Sequence, residues 1–320
     1  MLSRIAESLY WVGRYVERAE DTARILDVHV HHVLEDAWAE EEAACRTLLN
    51  IMGAPCPAEG LDSAQLLRIL AFDASDTCSI TGSLTAAREN ARGARDAISA
   101  EMWECLNATY HALGAQMAPV AGPGPHGFLR FVKERAAIMA GLADSTMSRD
   151  DGWRFLVLGR SLERVDMTTR LLLAAFTGSS ESPQWVNTLR CCSAYEAFLR
   201  TYRSAVEGSR VVEFLLLDRL FPRSAFHALS VAQRCLSELA PSAGRAGTED
   251  EAQRILGLAR TGLEFRRVSE LIAELPAHLQ SLQSACAEAG NAVGRRFFRQ
   301  TAAVEWSLEG VGPHAAVGET

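Results

Sequence analysis

No stretch of this chain approaches the roughly 18 consecutive apolar residues of a membrane span. Candidate apolar runs such as Leu171 to Phe176 and Phe214 to Leu217 are short and bounded by charge. Positive charge is neither in excess nor clustered: the net charge is −8 and no basic run occurs. That counts against a nucleic-acid binder, which presents a clustered basic face to the phosphates. The N-terminus is charged within its first turns and has no apolar signal core, so a cytoplasmic protein is expected. None of the eight cysteines forms a C-x-x-C pair, and their spacing suits neither zinc nor a secreted disulfide framework. No Gly-rich phosphate loop and no nucleophile elbow occurs, and no cofactor is expected. Proline is sparse and falls between helical segments, and no segment sustains the alternation of a strand.

What remains is helical periodicity almost throughout. Val12, Val16, Ala19, Ala23, Leu26, Val30 and Val33 recur at three- and four-residue steps and predict a first helix over Ser3 to Glu35. Further helices are predicted over Ala39–Met52, Ser63–Phe72, Ser83–Leu113 and Phe128–Asp144. A helix capped by Asp150 or Asp151 then runs to near Gly178. In the remainder, helices are predicted over Gln184–Gly208 and Arg210–Phe221, then from Pro222 to Leu239, with Pro222 in its first turn. Glu249–Leu275 and Ala277–Leu308 complete the set, separated by Pro276. The expectation is an all-α multi-helix bundle without a sheet. It forms one domain over 1–309, and a disordered tail covers 310–320.

Within this pattern one charged sequence occurs twice. Gly13-Arg14-Tyr15-Val16-Glu17-Arg18-Ala19-Glu20-Asp21-Thr22-Ala23-Arg24-Ile25-Leu26 and Gly159-Arg160-Ser161-Leu162-Glu163-Arg164-Val165-Asp166-Met167-Thr168-Thr169-Arg170-Leu171-Leu172 both spell G-R-x-x-E-R-x-(acid)-x-T-x-R-x-L. Weaker echoes follow: Asp36-Ala37-Trp38 against Pro183-Gln184-Trp185, Leu70 to Asp73 against Leu215 to Asp218, and Ser79, Leu84, Ala87 against Ser224, Leu229, Ala232. The chain therefore reads as two pseudo-repeated halves, about 1–147 and 148–309, burying their apolar faces on each other around a shared core.

Three readings of the charged residues stand side by side. In the first, Arg14, Glu17, Arg18, Glu20 and Arg24, with Arg160, Glu163, Arg164, Asp166 and Arg170, form a solvated face laced with pairs such as Glu20–Arg24. In the second, the two helices meet and Glu17 pairs with Arg164 while Glu163 pairs with Arg18, with Gly13 and Gly159 allowing close approach. In the third, the arginines line a cleft for a carboxylate, phosphate or peptide ligand. A second charged cluster, Arg88, Glu89, Arg92 and Arg95, would extend that lining. Catalysis by Glu17, Glu20, Glu89 or Glu163 is less favoured, because neighbouring arginines depress a carboxylate's pKa rather than raising it to the range of a general base.

Asp27, His31 and Glu35 stand at i, i+4 and i+8, but the second half lacks the set and no E-x-x-H pair of a di-metal bundle occurs. The expectation is a solvated helix end and no metal.

The opening Met1-Leu2-Ser3-Arg4-Ile5-Ala6-Glu7-Ser8-Leu9-Tyr10-Trp11-Val12-Gly13-Arg14-Tyr15-Val16-Glu17-Arg18-Ala19-Glu20 resembles the start of the bacterial alpha-E proteins. The stretch FLLLDRLFPRS, Phe214 to Ser224, is also similar to that family. The resemblance covers essentially the full chain and implies an all-helical protein. Alpha-E proteins are encoded beside, or fused to, circularly permuted ATP-grasp ligases, often with transglutaminase-like proteases. ATP-grasp enzymes join a carboxylate to an amine through an acyl-phosphate. The resemblance therefore implies a place in a peptide- or amide-bond-forming or trimming system, and together with the paired charged motif it makes a non-catalytic helical partner of the ligase the leading expectation. The alternatives are an amide hydrolase or amidoligase in its own right, and a purely structural scaffold. The oligomeric state is not legible.

Overall fold

The structure, a computed structural model, describes residues 1–35, 41–117, 125–177, 182–241, 244–245 and 247–298. The expected tail at 310–320, Trp38, Trp306 and most of the Ala118–Gly127 loop lie outside these residues, whereas the final helix, expected to reach Leu308, ends at Phe297, where Phe298 turns extended. Among the described residues the chain is all-α, with fourteen α-helices and no strand. α1 spans Ser3–Glu35, α2 Glu41–Met52 and α3 Ser63–Leu67, the last continued by a π turn over Arg68–Phe72. α4 is Ile80–Gly93, α5 Ala100–Met117, α6 His126–Thr146 and α7 Asp151–Thr177. α8 is Ser182–Cys191, α9 Tyr195–Tyr202, α10 Gly208–Leu217 and α11 Ala225–Leu239. α12 (Glu251–Glu264), α13 (Val268–Ala273) and α14 (Leu275–Phe297) follow.

α1 and α7 form the centre. They pack along each other; α4 and α6 flank α1, and α11 and α14 flank α7. A helix surrounded on all sides must be buried all round. α7 meets that demand with Phe155, Leu158, Leu162, Val165 and Leu172. α1 buries Leu9, Val12, Ala19, Ala23 and Leu26 beside Glu17, Glu20 and Asp21.

Three predicted helices are broken. Ser83–Leu113 divides into α4 and α5, because Ala94 turns inward to a buried position and Ser99 Oγ accepts the Met102 amide at 3.1 Å, restarting the helix. Gln184–Gly208 divides into α8 and α9 at Ser193, whose φ of 49° is left-handed. Glu249–Leu275 divides into α12 and α13. Pro222 lies in the loop ahead of α11, and the cap is Ser224, whose Oγ accepts the His227 amide at 3.1 Å. Asp150 caps α7 as expected, accepting the Gly152 amide at 2.9 Å, and Pro276 sits in the first turn of α14.

Candidate functional site

The two copies of the charged sequence face each other across the α1–α7 contact. The approach is close because of two glycines. A Cβ on Gly13 would lie 2.0 Å from the Leu156 carbonyl oxygen, and one on Gly159 would lie 2.0 Å from the Tyr10 carbonyl oxygen. No side chain fits either position without moving backbone.

At that distance the charged residues pair reciprocally. Arg164 donates Nε and Nη2 to Glu17 at 2.7 and 2.8 Å. Arg18 donates Nε and Nη2 to Glu163 at 2.6 and 3.2 Å. The remaining Nη1 of each arginine is aimed at a loop carbonyl, Pro222 at 3.3 Å for Arg164 and Thr77 at 3.5 Å for Arg18. Each of those loops precedes a serine cap, Ser224 for α11 and Ser79 for α4. Both glutamate side chains are only 2 % exposed, so the solvated-face reading does not describe them.

Each glutamate holds a second arginine, and here the two sides differ. Glu163 takes Arg14 Nε at 2.6 Å. Glu17 takes Arg223, from the loop before α11, at 3.0 Å. Arg223 also reaches Glu20 at 2.8 Å and Asp21 at 2.6 Å. One guanidinium thus serves three carboxylates. Glu20 is further held by Arg24 Nε at 3.0 Å, and Asp166 is held by Arg170 Nε at 3.0 Å.

The electrostatics follow from this division. Burial opposes ionisation of Glu17, but Arg164 and Arg223 outweigh it and hold the group down at about 2. Glu163 is likewise lowered against its burial by Arg14 and Arg18. Asp21 goes the other way. Burial dominates, Arg223 is shared with Glu17 and Glu20, and the carboxyl is pushed up to about 7. Its Oδ2 is buried without a hydrogen-bond partner.

One side of this lattice opens to a cleft of about 770 Å³ between α1, α7 and α14. Arg14, Arg18, Arg170 and Arg295 line it, with Tyr10, Trp11 and Phe298 as aromatic surface. Glu7 and Asp166 are its acids. Arg14 spends Nε on Glu163 and Nη1 on the Tyr10 hydroxyl at 3.2 Å. Arg170 spends Nε on Asp166 and Nη1 on the Ile51 carbonyl at 3.1 Å. Among the described residues no hydrogen bond takes Nη2 of either, so both retain donors for an acidic group.

Arg88, Glu89, Arg92 and Arg95 do not extend this lining. They lie on α4 and the turn after it. Glu89 pairs there with Arg92 at 2.8 Å and with Arg88, while Arg88 and Arg95 rest over the Trp103 ring. Helical spacing identified the cluster but not the side of α4 it faces. Asp27 and His31 do come together, with His126 and Lys133 of α6: Asp27 accepts from Lys133 Nζ at 2.6 Å and lies 2.8 Å from His126 Nδ1. The Glu35 side chain lies outside the described residues. Sequence reasoning missed Arg223, Asp21 as a perturbed acid, and the α14 wall with Arg295. The signal for Arg223 was its place in the apolar FLLLDRLFPRS stretch, where a charge needs a partner.

No helix among the described residues is long and apolar enough to cross a membrane. No solved structure matches the chain. An uncharacterized protein of Mycobacterium bovis and another of Mycobacterium tuberculosis are each 26% identical to it over 274 residues, covering 77% of this chain. The chain spans 31% of the length of these relatives. The family model that matches residues 1–298 is Alpha-E, described as a predicted alpha-helical domain with a conserved ER motif. This chain has Glu-Arg at 17–18 and at 163–164, and each pair is bonded to the other. By that match the chain belongs to the Alpha-E family.

Proposed function

We propose that this protein is a non-catalytic helical partner of an ATP-grasp-type peptide or amide ligase, and that it holds a carboxylate or peptide ligand in the cleft between α1, α7 and α14. The observation that carries the reading is the lining of that cleft: four arginines, two of them with an Nη2 donor unused, beside aromatic surface. Guanidinium forks suit carboxylates, and aromatic walls suit the apolar parts of a peptide. The Glu-Arg lattice beneath is structural in this reading. It fixes Arg14 and Arg18 in place, so their positions are set before a ligand arrives.

Two further facts support the absence of catalysis by the motif carboxylates. Glu17 and Glu163 are held ionised and buried, which suits neither a general acid nor an accessible base. Asp21 has a raised pKa but is buried away from the cleft. The extra length of the relatives is compatible with a working partner joined to this domain. The like order of packing around α1 and α7 supports reading the chain as two halves.

The test is co-purification of the chain with its encoded ATP-grasp partner, with ligase turnover measured in its presence and absence. Arg170→Glu with Arg295→Glu should weaken the effect of the chain on turnover with acidic acceptors. If the two proteins neither associate nor change each other's activity, the proposal fails.

A further inference from the structure

The lattice is asymmetric at one arginine. Arg14 and Arg160 occupy the same position in the two copies of the charged sequence, directly after the contact glycines. Arg14 bonds Glu163 at 2.6 Å. Arg160 has no hydrogen bond among the described residues, because Arg164 and Arg223 already serve Glu17, the carboxylate it would share. Its nearest acid is Asp144 at 3.9 Å, and Asp144 also faces Arg149 at 3.4 Å. The Arg160 side chain is only 18 % exposed.

Charge counting gives the same result. Around Glu17, Glu20 and Asp21 stand four arginines, Arg24, Arg160, Arg164 and Arg223. With Asp21 ionised one positive charge is left over, and with Asp21 protonated, as its raised pKa of about 7 favours below neutral pH, two are. Burial and the neighbouring Arg164 push the Arg160 guanidinium below its ordinary value, outweighing the opposite pull of Glu17 and Asp144. A largely buried guanidinium with no hydrogen bond and only a 3.9 Å ion pair to a shared carboxylate is costly to the fold.

Arg160 borders a separate pocket between α1, α5, α6 and α7, walled by Val12, Val16, Met102, Met139 and Leu156. It shares no lining residue with the arginine cleft. The pocket contains about 310 Å³ with its mouth included, but only about 20 Å³ of it admits the centre of a water-sized molecule. That limits the buried part of an occupant to a group of one or two carbons. Glu17 and Glu20 border the pocket as well, but both are committed to arginines.

We propose that this pocket is a binding site for a small aliphatic carboxylate, its carboxylate on the Arg160 guanidinium and its short alkyl end among Val12, Val16, Met102, Met139 and Leu156. The carboxylate supplies the acceptor that Glu163 supplies to Arg14. The fork geometry and the apolar wall together select a short-chain acid over a bare anion.

Saturation-transfer difference NMR on the full chain with sodium propionate tests this, with sodium chloride at equal ionic strength as competitor. The expected result is saturable binding with Kd of about 1 mM or tighter, not displaced by chloride. Arg160→Met should weaken it at least about tenfold while melting no lower than the parent chain, since it removes a largely buried charge that has no hydrogen bond. Ala140 of α6 also lines the pocket, so Ala140→Leu, which fills it and leaves Arg160 in place, should weaken propionate equally. Absence of saturable binding overturns the proposal, as does displacement by chloride. Retained binding in both variants, or a lower melting temperature for Arg160→Met with binding unchanged, overturns it too.

Discussion

Glu17 and Arg164 are joined by two parallel hydrogen bonds of 2.7 and 2.8 Å across the α1–α7 contact, although 147 residues separate them in the chain. The bidentate geometry leaves little freedom for either helix to slide or rotate. A shift of one residue along α7 would bring Val165 or Glu163 opposite Glu17 and bury an unpaired acid. The ion pairs therefore specify register more than they add stability.

Removing one partner should be costly. Glu163→Ala leaves Arg14 and Arg18 without their buried acceptor and should destabilise the fold by about 3–5 kcal/mol. Equilibrium urea unfolding measures this. Glu89→Ala, on the exposed α4 cluster, should change stability by no more than about 1 kcal/mol. A cost for Glu163→Ala as small as that for Glu89→Ala would show that Glu163 is not paired in the interior.

The contact glycines make a second prediction with opposite signs at different sites. Gly13→Ala and Gly159→Ala should each destabilise by roughly 1–3 kcal/mol, the range for overpacking, because the new Cβ meets backbone at 2.0 Å. Gly141→Ala, inside α6 with nothing within 4 Å of the added atom, should instead stabilise by about 0.5–1 kcal/mol from helix propensity alone. Thermal unfolding of the three variants separates contact from propensity.

The pH dependence of stability should carry two opposed contributions. Glu17 is lowered from 4.5 to about 2, so the stability it contributes is present above its unfolded pKa and is lost as pH falls through that window. Asp21 is raised from 3.8 to about 7. The folded chain holds this proton where the unfolded chain has released it, so stability falls as pH rises from about 4 to 7. Asp21→Asn should flatten the profile between those limits and leave the acid limb in place. Urea midpoints across pH 3 to 8 read both limbs; a parent profile identical to that of Asp21→Asn would show that Asp21 is ionised throughout.

Charge in the cleft is testable apart from the fold. Arg295 is 54 % exposed and its partner Glu251 64 %, so Arg295→Glu should leave the unfolding free energy within about 1 kcal/mol of the parent. The same variant should lose affinity for an acidic peptide, and parental affinity should fall as salt rises. Fluorescence of Trp11, which lines the cleft, gives the titration. Salt-independent binding, or equal binding by the variant, would place the ligand elsewhere.

Much of this was legible in the residues. α1 runs from Ser3 to Glu35 as its periodicity predicts, and the duplicated G-R-x-x-E-R sequence contains both partners of each ion pair. The pairing itself was one of three open readings, since spacing along a helix does not say what stands opposite it. The breaks at Ala94 and Ser193 were missed because apolar periodicity continues through both while local backbone turns decide the helix ends. Arg223 was missed because it acts from a loop, at a distance of 202 residues from Asp21, which no local pattern encodes. The arginine cleft needed α14, whose position against α1 and α7 is a tertiary fact.

The arrangement has a consequence for synthesis. α1 is made before α7 and α11, yet the cations that meet Glu17 and Asp21 come from α7 and from Arg223, and Glu20 has only Arg24 on its own helix. At about 5–20 residues per second, a ribosome needs on the order of 10–40 s to travel from Asp21 to Arg223. During that interval α1 has apolar residues to bury, and Glu17 and Asp21 stay solvated without their later partners. Of the two central helices α1 is the earlier made, and its charged face reaches its final partners only once α7 and the loop before α11 have followed.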